Sequence, residues 1–93
     1  MVLKIISKRN VDKVLLLLNN TGEMYFNEIQ KELNLNAGTL TRIVSDLMEY
    51  KFIYKRVEDE SKHLSKTYYG ITDLGKKAIE IYKIKHEIEE ELN

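Results

Sequence analysis

Apolar side chains recur at helical spacing over the first half of the chain, then briefly at a strand-like spacing, then at helical spacing again. Val11, Val14, Leu15 and Leu18 share one face, which predicts a helix over 8–19 with Ser7 or Asn10 as N-cap. Leu16 and Leu17 lie off that face, so burial on several sides and a subunit contact both fit this helix. Asn19-Asn20-Thr21-Gly22 is a turn signal, and a short strand over 24–26 follows it. Asn27, with Gln30 three residues on, reads as a capping box that opens a second helix, whose Ile29 and Leu33 face inward. Asn34 stands where a helix-ending left-handed residue is wanted, Leu35 plugs the turn, and Asn36 caps a third helix over 37–50. In that helix Leu40, Ile43, Val44, Leu47 and Met48 form one stripe. Thr39, Thr41, Arg42, Ser45, Asp46 and Glu49 are left toward solvent.

The stretch 52–57 is rich in β-formers, and 67–71 is its expected partner. Between them, 58–66 has no hydrophobic periodicity and forms a charged hairpin tip. Thr72 caps the last helix and Asp73 sits favourably in its first turn. That helix spans 72–92, ~30 Å at the standard rise. Leu74, Ala78, Ile81, Ile84, Ile88 and Leu92 form its stripe, with Lys85 among them. A single small domain does not cover so long a helix, so Ile81, Ile84, Ile88 and Leu92 are the expected interface of a homodimer, with the segment 2–6 as a further candidate. Two helices joined by a short turn, then a hairpin, then a helix, is the order of a winged-helix domain. The expected class is α+β, mostly α: a winged helix-turn-helix with a three-helix core, a short strand plus a β-hairpin wing, and a long C-terminal helix. One domain covers 1–93, with the helix-turn-helix at 27–50, the wing at 52–71 and the dimerisation helix at 72–92.

Four segments carry a resemblance to a known class. They are Phe26-Asn27-Glu28-Ile29, Leu33-Asn34-Leu35-Asn36, the run from Leu40 to Leu47, and Tyr69-Gly70-Ile71-Thr72-Asp73-Leu74-Gly75-Lys76. The last matches the pattern Y-x-(L/I)-T-x-x-G at the entry to the final helix. The chain resembles winged helix-turn-helix transcriptional regulators of the broad MarR, PadR and HxlR type. It is also similar to small archaeal DNA-binding proteins that add a C-terminal dimerising helix. The resemblance implies sequence-specific binding of double-stranded DNA by a homodimer, with helix 37–50 in the major groove. Two departures stand out. Lys51 occupies a position that is commonly glycine in the family, and the wing tip Glu58-Asp59-Glu60-Ser61-Lys62 is acidic.

Composition qualifies this picture. The chain has 15 basic and 15 acidic residues, which argues mildly against a nucleic-acid binder. The distribution is uneven: Lys4, Lys8, Arg9 and Lys13 face only Asp12 in the first twenty residues, and acids gather toward the C-terminus. There is no cysteine, so disulfides and a thiolate zinc site are excluded. The longest apolar run, 14–18, is too short to cross a membrane, and a cytoplasmic protein is expected. Richness in Lys, Ile, Asn, Glu and Tyr fits an AT-rich, archaeal-like genome.

Arg42 is the strongest candidate base reader, because a guanidinium can bond guanine O6 and N7 together; its alternative role is a salt bridge to Asp46. Thr39, Thr41 and Ser45 are short polar groups suited to a tight groove, or plain solvated surface. Asn36 is a helix cap before it is a DNA contact. Lys8, Arg9, Lys55, Arg56, Lys62, His63 and Lys66 are candidate phosphate contacts, each also an ordinary surface charge on the other reading. His63 and His86 are far apart, and neither a metal site nor a phosphate-binding glycine loop is evident, so no enzyme, metal or cofactor is expected. A small-molecule effector is left open. The rival readings are a winged-helix protein–protein interaction module and a non-specific, chromatin-like DNA binder.

Overall fold

The computed structural model describes residues 2–58 and 67–93. Its elements are α1 (Val2–Ile6), α2 (Val11–Thr21), β1 (Met24–Tyr25), α3 (Phe26–Leu33), α4 (Ala37–Glu49), β2 (Ile53–Val57), β3 (Thr67–Ile71) and α5 (Asp73–Leu92). The three strands form one antiparallel sheet in the order β1-β3-β2, with Met24 opposite Tyr69 and Ile53 opposite Ile71. This is the winged-helix architecture: a helical core, a short strand and a hairpin, and a long final helix.

The core is apolar. Val11, Val14, Leu15 and Leu18 of α2, Ile29 of α3, and Leu40, Ile43, Val44 and Leu47 of α4 are all buried together with Phe52 and Ile53. The helical spacing of these residues is what lets three helices share one interior. Ile5 and Ile6 of α1 are buried in the same core, so they are taken up within the protomer, while Leu3 and Lys4 are exposed.

Helix ends follow local chemistry, with two corrections to the sequence reading. The first concerns α2, which begins at Val11 rather than near residue 8, because Asn10 adopts a left-handed backbone (φ 69) and breaks the chain away from α1. Asn10 makes no side-chain capping bond. The second concerns α3, which begins at Phe26, one residue before the expected cap Asn27. Here the Glu28 carboxylate accepts from the Tyr25 backbone N–H at 2.9 Å, so the reciprocal acid is Glu28 rather than Gln30. At the other end Asn34 is left-handed (φ 53), with Leu35 N donating to Gln30 O and Asn34 N to Lys31 O. That pair of bonds is a Schellman ending. The Asn36 side chain accepts from Thr39 N at 2.8 Å and starts α4 as expected.

Helix α4 ends in the same way as α3. Phe52 N donates to Leu47 O and Lys51 N to Met48 O, and Lys51 carries the left-handed backbone (φ 62). A lysine there bears a Cβ strain that glycine escapes. Lys51→Gly should therefore stabilise the fold by about 1 kcal/mol after the unfolded-state entropy of glycine is set against it. A denaturant titration checks this as a higher midpoint with an unchanged slope.

Helix α5 packs on α2 and β3. It is opened by Thr72, whose hydroxyl accepts from Gly75 N at 3.0 Å and donates to Lys51 O at 2.7 Å. Tyr82 pins it to α1 by donating to Ile6 O at 2.9 Å; burial, with Asp12 adding to it, pushes that phenol up to about 12. The helix has two apolar faces where the sequence suggested one stripe. Gly75, Ala78, Ile79 and Tyr82 face the body, while Leu74, Ile84, Ile88 and Leu92 are exposed, roughly a third of a turn away. Ala78 thus belongs with the core, Ile79 joins it, and Ile81, on the side of Leu74 and Ile88, is half-buried against the core. The far half of α5 extends past the body of the molecule, whose principal extents are 53 × 25 × 23 Å.

Candidate nucleic-acid interface

With the apolar side of α4 buried, its opposite side is left outward. Thr41, Arg42 and Ser45 are exposed, and Thr39 and Asp46 are half-buried. Arg42 has no ion-pair partner among the described residues. The salt bridge to Asp46 considered as its alternative role is not formed. Asp46 instead accepts from Lys8 Nζ at 3.0 Å. Thr41 Oγ1 donates back to Ala37 O at 2.7 Å, leaving its lone pairs outward. Asn36 Oδ1 is engaged as the helix cap, which leaves its amide NH2 as the donor available to a ligand. An open groove of about 550 Å³ runs between the α1–α2 link and the start of α4, with Lys8, Arg9, Asn36, Thr39 and Arg42 along its walls.

The wing places its cations differently. Lys55 is exposed and has no ion pair among the described residues. Arg56 is bound within the protomer: its Nη2 and Nε donate to the Glu23 carboxylate at 2.7 and 3.0 Å, and its guanidinium lies 4.5 Å from the centre of the Tyr68 ring. Tyr54 donates to the other Glu23 oxygen at 2.8 Å. The Arg56 hydrogen bonds, then that of Tyr54, hold the Glu23 carboxyl below its usual range, and the same contact raises the Arg56 pKa. Tyr68 in turn packs against Tyr25 in a tilted arrangement, with ring centres 4.6 Å apart. Gly70, opposite Tyr54 in the register, makes room for that ring. Half of this cluster follows from alternation, which puts Tyr54 and Arg56 on one face of β2. Glu23 does not, since it lies 33 residues before Arg56 in a turn. Lys62, His63 and Lys66 lie outside the described residues.

The remaining expectations find these places. Arg9 is exposed beside Lys8. Ile84, Ile88 and Leu92 are uncovered at 55%, 53% and 81% exposure, the most exposed of the large hydrophobic residues on α5. Among the described residues no group of three or more His, Cys, Asp or Glu is placed to hold a metal ion, and no helix is long and apolar enough to cross a membrane.

Comparison with known proteins narrows the assignment. The sequence model of the family described as TFIIE alpha subunit matches residues 1–92. The chain belongs to the TFIIE alpha subunit family. Two proteins of Methanocaldococcus jannaschii are similar to it. One, the uncharacterised protein MJ0944, is 41% identical over 93 residues, which is all of this chain and 78% of that protein. The other, the uncharacterised HTH-type transcriptional regulator MJ0361, is 47% identical over 81 residues, covering 87% of this chain and 75% of that protein. Among solved structures, the reduced form of the transcriptional regulator YodB from B. subtilis aligns with a TM-score of 0.78 at 17% identity, over 91% of this chain and 81% of that one. A mutant of S. aureus MepR bound to an oligodeoxyribonucleotide aligns with a TM-score of 0.74 at 25% identity, over 91% of this chain and 62% of that one. The fold of this TFIIE alpha family member is that of winged-helix transcription regulators, as its segments at 26–36 and 69–76 suggested. Those segments do not single out TFIIE alpha itself within the winged-helix class.

Proposed function

We propose that the protein is a homodimeric transcriptional regulator that binds double-stranded DNA sequence-specifically, each protomer placing α4 in a major groove. The observation that carries this is the outer side of α4, where Arg42, with no ion-pair partner among the described residues, sits among the short polar side chains of Thr39, Thr41 and Ser45 on a helix fixed from behind by the core. A guanidinium so held is the commonest reader of guanine. Support comes from the regulator MJ0361 and from the MepR mutant bound to an oligodeoxyribonucleotide. Arg9 and Lys55 are the backbone contacts of first choice, with Lys62, His63 and Lys66 further along the wing. Arg56 is a weaker one, because Glu23 already answers its charge. Ile81, Ile84, Ile88 and Leu92 of two α5 helices join the protomers. The chemistry is binding rather than catalysis, and the compartment is the cytoplasm.

Replacing Arg42 by Ala should weaken the best duplex by roughly 1–3 kcal/mol and relax the preference at one base position. Titration of a panel of single-base variants reads both effects. Unchanged affinity for the best duplex would remove Arg42 as the base reader.

A second reading, a winged helix that docks on another protein, draws on the internal neutralisation of Arg56 by Glu23 and of Lys8 by Asp46 in a chain of zero net charge. Salt separates the two. Duplex affinity that falls linearly on a log–log plot with salt is the mark of phosphate contact.

A further inference from the structure

Arg42 and Asp46 stand one turn apart on α4, the spacing at which a helix pairs opposite charges. No ion pair between them forms, and a third residue holds the carboxylate. Asp46 Oδ2 accepts from Lys8 Nζ at 3.0 Å, across 38 residues of sequence. Lys8 comes from the link between α1 and α2, and that link is fixed. Lys8 N donates to Ile5 O, Val11 N donates to Lys8 O, and left-handed Asn10 turns the chain into α2. Ile5, Ile6 and Val11 anchor it in the core. The ammonium is therefore presented by ordered backbone, and Lys8, Arg42 and Asp46 line one groove.

We infer that Lys8 is a positioning residue. By holding Asp46, it leaves the Arg42 guanidinium free to bond a base edge and cancels a carboxylate that would otherwise face DNA phosphates. This deepens the proposal that α4 reads DNA and rests on it. The Lys8 and Asp46 side chains are 49% and 35% exposed, so the bridge adds little to folding stability and its consequence falls on binding. Without Lys8, Asp46 either turns to Arg42 or stays unpaired against the polyanion. The first outcome blurs the base that Arg42 reads. A lysine that simply touched a phosphate would behave otherwise: its loss would weaken all sequences alike and reduce the salt slope by roughly one unit.

The test titrates the full chain against its best duplex, and against single-base variants of it, at several salt concentrations. The proteins are the parent, Lys8→Met, Asp46→Asn and the double variant. Lys8→Met should bind roughly three- to tenfold more weakly, the range expected for groups in one charge network. It should lose preference at the base position that Arg42→Ala also relaxes. The double variant should recover to within about twofold of the parent, with preference restored, while Asp46→Asn alone changes little. Two results overturn the inference alone: Asp46→Asn having the same effect with and without Lys8, or Lys8→Met weakening every sequence equally with a shallower salt slope. A parent chain that prefers no duplex overturns the DNA-reading proposal itself, and this inference with it.

Discussion

Replacing Ile88 by Glu should convert the protein to monomers and lower its affinity for a two-half-site duplex by roughly 10²–10⁴, the gain that linked binding gives over a single module. Ile88 lies on the uncovered side of α5, 53% exposed, between Ile84 and Leu92. A helix that carries apolar groups beyond the reach of its own domain leaves them in water unless another chain covers them. In the proposed homodimer a second copy would do so by two-fold symmetry, with the same face on both sides. An unpaired carboxylate at the centre of that seam must be desolvated, which outweighs the contacts it leaves intact. The substitution does not touch the protomer core, because the face that packs inward is that of Ala78, Ile79 and Tyr82. Sedimentation velocity and duplex titration read the two effects together. A parent that is already monomeric, or a variant that remains dimeric with the parent's affinity, contradicts this assignment of the face.

Replacing Gly75 by Ala should destabilise the fold by roughly 1–3 kcal/mol or more, as overpacking does where backbone rather than a side chain is in the way. A Cβ at this position would overlap the Phe52 carbonyl oxygen and the Ile71 side chain. Both obstacles are held in place. Phe52 O accepts from Thr72 N at 3.0 Å, and Thr72 itself ties Gly75 N to Lys51 O. Three elements meet there: the end of α4, the start of β2 and the first turn of α5. The loss is a large share of the roughly 5–15 kcal/mol that holds a domain together. Gly38 on α4 is the control, since a Cβ there meets only Asn36 Oδ1 at an ordinary 3.6 Å. Gly38→Ala should be neutral or stabilising by up to about 1 kcal/mol. Denaturant midpoints for the two variants check the contrast, and a Gly75→Ala midpoint equal to the parent's would contradict the close approach of α5 to Phe52.

What could be read from the sequence was what neighbouring residues determine. The stripe Leu40, Ile43, Val44, Leu47 specifies α4 by its period, and Asn34, Asn36 and Thr72 sit at helix ends because their short side chains suit left-handed or capping positions. The start of α3 was misplaced by two residues because Asn27 and Gln30 imitate the cap formed by Tyr25 and Glu28. The two faces of α5 were merged because period alone does not say which neighbour a residue meets: Ile79 faces inward, and Leu74 does not. The electrostatics of the outer surface were the least legible. Glu23 with Arg56, and Lys8 with Asp46, join residues 33 and 38 apart, and only the fold brings them together. Among the described candidates those two contacts engage Lys8 and Arg56 and leave Arg9, Arg42 and Lys55 available.

The most direct measurement is selection of bound fragments from a random duplex pool, followed by footprinting of the winner at several salt concentrations. Two symmetric half-sites centred one helical turn, ~10 bp, apart are expected, with affinity falling steeply as salt rises. A pool that yields no preferred duplex, or protection without two-fold symmetry, would contradict a paired α4 reading DNA.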